Sequence, residues 1–139
     1  MFGLFNKKKP GISDVIRQAL IQGETGLHVN LHVDDQILFQ VVPAKQYAQR
    51  GIKEEDLNGF IEYHFFNKNK TLTIENEHFA KELSEKGTLT YFEEPKGIHN
   101  YIQAIGIIPE DIEKIINERI RTIYSNIESE RISIEYVGY

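Results

Sequence analysis

Cysteine is absent from the 139 residues. Disulfides, thiolate metal sites and cysteine nucleophiles are therefore excluded. No apolar run approaches the ~18 residues that a membrane span requires. Lys7-Lys8-Lys9 leads into Pro10-Gly11 and not into an apolar stretch, so no secretory leader is expected. No Gly-x-Ser-x-Gly occurs, and Ser13, Ser84, Ser125, Ser129 and Ser133 each suit a helix or strand role. Gly23 and Gly26 are not followed by the Lys-Ser/Thr pair of a phosphate loop. Asp34-Asp35 is too short a motif for a calcium loop. Long linkers, repeats and low-complexity stretches are also missing, so the chain reads as one domain of ordinary size.

What is present suits a packed core. Eight Phe, seven Tyr and many Ile stand in a chain that is 40% apolar and 27% charged. That is the balance of a soluble globular protein, and a cytoplasmic location is the expectation. The net charge of −5 is uneven: the first twenty residues carry +3 and the remainder −8. An acidic body opposes phosphate backbones, so no specific nucleic-acid partner is expected. The acid is mostly glutamate and spread out, densest at Glu54-Glu55-Asp56 and Glu93-Glu94.

Residues 1–11 read as a flexible arm in which Phe2, Leu4 and Phe5 precede the three lysines. Phe2, Phe5, Lys7, Lys8 and Lys9 are the candidates for contact with an anionic membrane or a partner's groove. A frayed terminus is the plainer alternative. Residues 12–139 read as a single α+β domain. Ser13 is placed to cap a helix whose stripe is Ile12, Val15, Ile16, Ala19 and Leu20. Leu27, Val29, Leu31 and Val33 alternate with His28, Asn30 and His32, the pattern of a half-buried strand. Asp34-Asp35 makes the turn, and Ile37 to Val42 returns as a more buried strand. Residues 44–50 are expected as a short helix and 52–58 as a polar connector.

Phe60 to Phe66 is the next strand, with Ile61, Tyr63 and Phe65 on one face and Phe60, Glu62, His64 and Phe66 on the other. Residues 67–70 read as a hairpin turn, with Thr71 to Glu75 returning as a strand. Asn76 then caps a short helix through Phe79, Ala80 and Leu83, and Thr88 to Glu93 is a further strand. Ile98, Tyr101, Ile102 and Ile105 keep helical spacing up to Gly106. Pro109 suits the first position of a helix, with Glu110 and Asp111 favoured by its dipole. Its stripe is Ile112, Ile115, Ile116, Ile120, Ile123, Tyr124 and Ile127. Ile132, Ile134 and Tyr136 alternate in a last strand, inside the sheet or at its edge. The predicted fold is α+β: a mainly antiparallel sheet of five or six strands with helices packed on one face.

The histidines are the first candidates for chemistry. His28 and His32 lie four apart on a strand, ~13 Å between Cα atoms at ~3.3 Å per residue, too far to chelate one metal ion directly. If the two predicted hairpins adjoin, His28, His32, Glu62 and His64 share a polar sheet face and become ligand or metal candidates. A solvated sheet face is the plainer reading. His78 and His99 read as surface residues near helix starts. Phe60 and Phe66 are apolar where their neighbours are polar. They either meet a partner or ligand or lie beneath a covering loop or helix. Base stacking is disfavoured, because no basic surround accompanies them. Adjacent carboxylates on a strand point apart, so none forms an obvious acid/base pair.

Three function classes follow. The first is a non-enzymatic protein-interaction module of the inhibitor, immunity, adaptor or assembly type, meeting a basic partner through Glu54, Glu55 and Asp56 and through Phe60 and Phe66. Self-association through the edge of the last strand belongs to the same class. The second is a small-molecule or metal-binding domain or enzyme using His28, His32, Glu62 and His64. The third is peripheral membrane or nucleic-acid association through the N-terminal arm. No cofactor is expected and no catalytic residue is assigned.

Overall fold

The alternation of residues 27–33 becomes a strand because one of its faces has somewhere to go. Val29, Leu31 and Val33 of β1 (His28–Val33) are buried, while His28 and His32 are only partly covered. In the computed structural model, which describes residues 11–22, 27–45, 52–67, 71–94, 98–123 and 127–138, six strands form one antiparallel sheet. They are β1, β2 (Gln36–Pro43), β3 (Phe60–Asn67), β4 (Thr90–Glu94), β5 (Ile98–Gly106) and β6 (Ile132–Val137). Their order across the sheet is β4-β5-β3-β2-β1-β6. Three helices, α1 (Ile12–Gln22), α2 (Thr71–Glu85) and α3 (Pro109–Ile123), lie on one face. The protein is a single α+β domain of the expected class.

Register decides which side chains share a face. Val29 pairs with Val41 and Leu31 with Phe39, and these pair in turn with Glu62 and His64 of β3. Cross-strand partners point the same way, so Glu62 and His64 lie on the helix-covered side with the valines. There α1 contributes Ile12, Val15, Ile16 and Ala19, and α3 contributes Ile112 and Ile116, to one core over β1, β2 and Phe60. Isoleucine is a middling helix former, but burying Ile112 and Ile116 completely is worth about 1.5–3 kcal/mol each. Under α2, Ala80 and Leu83 pack with Phe66, Leu89 and Tyr101. The opposite face carries a smaller cluster of Val42, Ala44, Ile61, Tyr63 and Ile102, met by Ile52 of the connector. β3 is therefore buried on both sides.

Several expectations from the sequence are corrected here. Thr71 to Glu75 is not a returning strand but the first turns of α2. Glu77, Ala80, Lys81, Glu82 and Leu83 favour a helix, and helix propagation is cooperative. The upstream Thr and Ile cost only tenths of a kcal/mol each, so the helix runs through them. Asn76 is accordingly a buried residue inside α2 and not its cap. Residues 98–106 are a central strand and not a helix. Tyr101 and Ile105 face the helices while Ile102 faces the other way. Burial on both sides hides the two-residue period and imitates helical spacing.

The start of α1 is also held differently. The helix begins at Ile12, so Ser13 lies in its first turn, and the Ser13 backbone N–H donates to Glu113 of α3 at 3.1 Å. Arg17 of α1 pairs with Glu110 of α3 in the same seam. Helix α3 is described through Ile123; Tyr124 of its expected stripe lies outside the described residues, and Ile127 packs against the core. Residues 46–50 of the expected short helix, and the arm of residues 1–10, lie outside the described residues.

Candidate functional site

Glu62, His64 and Arg119 form a closed charge cluster at the centre of the helix-covered face. Glu62 and His64 stand two apart on β3, on the same face by the strand period. Their side chains are 0% exposed. His64 Nε2 lies 2.7 Å from Glu62 Oε2. Arg119 of α3 meets the same carboxylate with both arms of its fork, Nε to Oε2 at 2.9 Å and Nη2 to Oε1 at 2.9 Å. Nη2 also donates to Gln103 Oε1 at 3.3 Å. Burial by itself pushes the Glu62 carboxyl up; the hydrogen bonds from His64 and Arg119 outweigh it and hold the group below the ordinary carboxylate value. Phe39 tilts against the His64 ring at 4.4 Å between centroids, and Phe66 stacks beyond it at 6.4 Å. His64 Nδ1 is buried with no hydrogen-bond partner among the described residues.

This cluster is where the expected polar sheet face should have been, and the placement overturns that expectation. Phe60, Glu62, His64 and Phe66 all lie in the core, covered by α2 and α3. Phe60 and Phe66 are 4% and 1% exposed and the Glu62 and His64 side chains 0%, so none of the four presents a surface. His28 and His32 lie on the opposite face, so the four candidate ligands are divided between the two sides of the sheet. His32 Nε2 instead lies 2.8 Å from Glu135 Oε1 of β6. Asn30 Nδ2 donates to the same oxygen at 3.0 Å, and Gln40 Nε2 to Asn30 Oδ1 at 2.8 Å. These bonds hold the Glu135 carboxyl below its ordinary value, Asn30 first and His32 second. Among the described residues no group of three or more His, Asp or Glu is arranged to hold a metal ion.

Glu54, Glu55 and Asp56 form a short 3-10 turn in the connector; the two glutamates are exposed and Asp56 half-buried. The membrane-contact candidates Phe2, Phe5, Lys7, Lys8 and Lys9 lie outside the described residues. Among the described residues no helix is long and apolar enough to cross a membrane.

A concave site does exist, at the other end of the helix-covered face, where α2 overhangs β4 and β5. It is a cleft of about 370 Å³ lined by Glu77, Lys81, Ser84, Glu85, Tyr91, His99 and Tyr101. The strand period explains one wall: His99 and Tyr101 are two apart on β5, and Tyr91 of β4 pairs with Tyr101. The helix period explains the other, since Glu77, Lys81 and Glu85 recur every fourth residue along α2. Tyr91 OH lies 2.6 Å from His99 Nδ1, and Glu77 Oε2 lies 3.7 Å from the same nitrogen. The two tyrosine rings stand 5.2 Å apart at 54°, so they make an angled aromatic wall. Phe66 meets the back of Tyr101 edge-on at 6.1 Å.

The electrostatics of this cleft are negative. The Tyr101 hydroxyl is pushed up to about 12, by burial first and then by the charge of Glu77, by Tyr91, by its hydrogen bond to Glu77 and by the charge of Glu85. Burial is the largest cause of that shift, and the carboxylates of Glu77 and Glu85 add to it. Lys81 is exposed at the rim between the two glutamates. The helical spacing of 98–106 conceals the cleft in the sequence, because on a helix His99 would fall at the surface. Read as a strand, His99 and Tyr101 fall on one face, which was the available signal. Compared with known families, with characterised proteins and with solved structures, the chain finds no match.

Proposed function

We propose that this protein is a non-enzymatic binding module that takes its ligand in the cleft between α2 and the β4–β5 edge. One observation carries the reading: aromatic and polar side chains from three elements converge on a concavity of about 370 Å³. That falls within the ~300–1,000 Å³ range of ligand sites. Tyr91 is the exposed part of its wall at 41%, while Tyr101 at 3% is its fixed floor. A buried floor with an accessible lip suits capture of a small group. The closure of Glu62 and His64, both 0% exposed, takes that acid/base pair out of reach of a ligand and leaves the cleft as the accessible site. The exposed glutamates of the Glu54–Asp56 turn favour a basic partner as a second contact, on a separate element.

The test is an NMR fragment screen on the full chain, with amide shifts mapped to the fold. Shifts that converge on Lys81, Ser84, Tyr91, His99 and Tyr101, and vanish in Tyr91→Ala, are the expected result. Hits that scatter, or that gather on the opposite sheet face, would sink the reading.

A further inference from the structure

The same cleft carries a sharper statement, which rests on the binding reading above. We infer that its ligand is an organic cation: an alkyl ammonium or guanidinium group, presented as a Lys or Arg side chain by a partner protein. Three features of the site converge on this chemistry. Its aromatic lining is Tyr91, 41% exposed, with the Tyr101 ring tilted against it at 54° and 5.2 Å between centroids. Aromatic faces attract cations through their quadrupole, more strongly where water is thinned out. Its lining sets the carboxylates of Glu77 and Glu85 against the single ammonium of Lys81, with His99 beside Glu77. An anionic ligand would meet those carboxylates at close range in a partly desolvated site, which costs free energy.

The hydrogen-bond pattern points the same way. Glu77 is only 21% exposed, and it accepts from Tyr101 while standing 3.7 Å from His99 Nδ1. A carboxylate offers about four lone-pair sites, so Glu77 retains acceptor capacity for an inserted N–H donor. Tyr101 stays protonated up to about 12, so its hydroxyl does not add a second negative charge at neutral pH. The apolar stem of a Lys or Arg side chain would lie along the rings with its head at Glu77 and Glu85, the usual way such amphipathic side chains are accommodated. The net charge of the chain, −5, favours encounter with a basic partner over a long range.

The test compares four probes on the full chain by amide chemical shift: n-butylammonium, n-butanol as its neutral counterpart, butyrate as the anion, and the blocked peptide acetyl-Gly-Lys-Gly-amide. Butylammonium and the lysyl peptide are expected to move the resonances of Glu77, Lys81, Tyr91, His99 and Tyr101 saturably. Their affinity should fall with added salt. Glu85→Gln and Glu77→Gln should each weaken them by about tenfold, the loss expected for one charged contact. Glu85 is exposed, so its variant keeps the fold even where Glu77→Gln does not. A peptide tighter than the free amine supports a partner's side chain; equal affinities support a cation but assign it to a free amine. Butanol binding as well as butylammonium, or butyrate binding better, overturns the cation inference while leaving the cleft a ligand site. Silence of the cleft resonances to all four probes overturns it too, and the binding reading then stands or falls on the fragment screen.

Discussion

Glu62 shows how a burial cost is turned into a constraint. A lone carboxylate at 0% exposure would be prohibitive. Here it accepts two bonds from Arg119 and one from His64, and its charge is matched. Breaking such a pair leaves the partner uncompensated. Arg119→Ala is therefore expected to cost about 3–5 kcal/mol in urea unfolding. Arg119→Lys should recover only part, because an ammonium cannot span both carboxylate oxygens and Gln103. The pH dependence has a definite sign. The folded-state value of Glu62 lies below 4.5, its ordinary value. Its contribution is therefore full above 4.5 and is lost as pH falls through the lower folded-state value. Acid unfolding of Glu62→Gln should show a shallower loss over that window than the parent chain. Identical slopes would mean that Glu62 titrates alike in both states.

Among the elements, close approaches decide what the local sequence leaves open. Gly59 precedes β3, and a Cβ there would stand 2.7 Å from the Gly106 carbonyl oxygen at the end of β5. Backbone cannot yield as a side-chain tip can. Gly59→Ala is expected to destabilise by about 1–3 kcal/mol, the usual cost of overpacking. A calorimetric midpoint equal to that of the parent chain would show that the two strand ends can part. The same neighbourhood holds the irregular pairing between Phe60 and Ile61. The turn between β1 and β2 is secured in another way. Asp34 adopts a φ of 56°, which Asp tolerates better than most residues. Its carboxylate accepts from Arg131 Nε at 3.0 Å and Nη2 at 2.8 Å, just before β6. That bond pulls the Asp34 carboxyl below its ordinary value. The turn and the last strand are thus fastened together.

Across the molecule, stability is graded from centre to edge. β3 and β5 are covered on both faces, whereas β6 has one neighbour and exposes Ile134 and Val137. Edge elements with few buried groups open first. β6 is held by the exposed Asp34–Arg131 pair and by Glu135, which is half exposed and reaches the buried Asn30 and the partly covered His32. Glu135→Gln is expected to speed amide exchange in Ile132–Val137 while leaving the slowest amides of β3 unchanged. Equal acceleration in both strands would show that β6 opens only with the whole domain.

The strands β1 and β6 and the helix α3 were legible because their signals are local, and β3, though buried on both faces, because its aromatic-rich run favours a strand. One-sided burial writes a two-residue period into β1 and β6, and Pro109 with its isoleucine stripe writes a start and a face into α3. Strand β5 and the first turns of α2 were not legible. Burial on both faces erased the period of one, and cooperative extension from downstream residues set the other. The two candidate sites belong to the second kind. Whether Glu62 and His64 face water or a core depends on Arg119, 57 positions away, and on the helix that carries it. The cleft needs α2 to lie over β4 and β5, a packing choice to which no single segment commits the chain. Periodicity names the side of a strand on which a residue lies; only the packed elements say what covers that side.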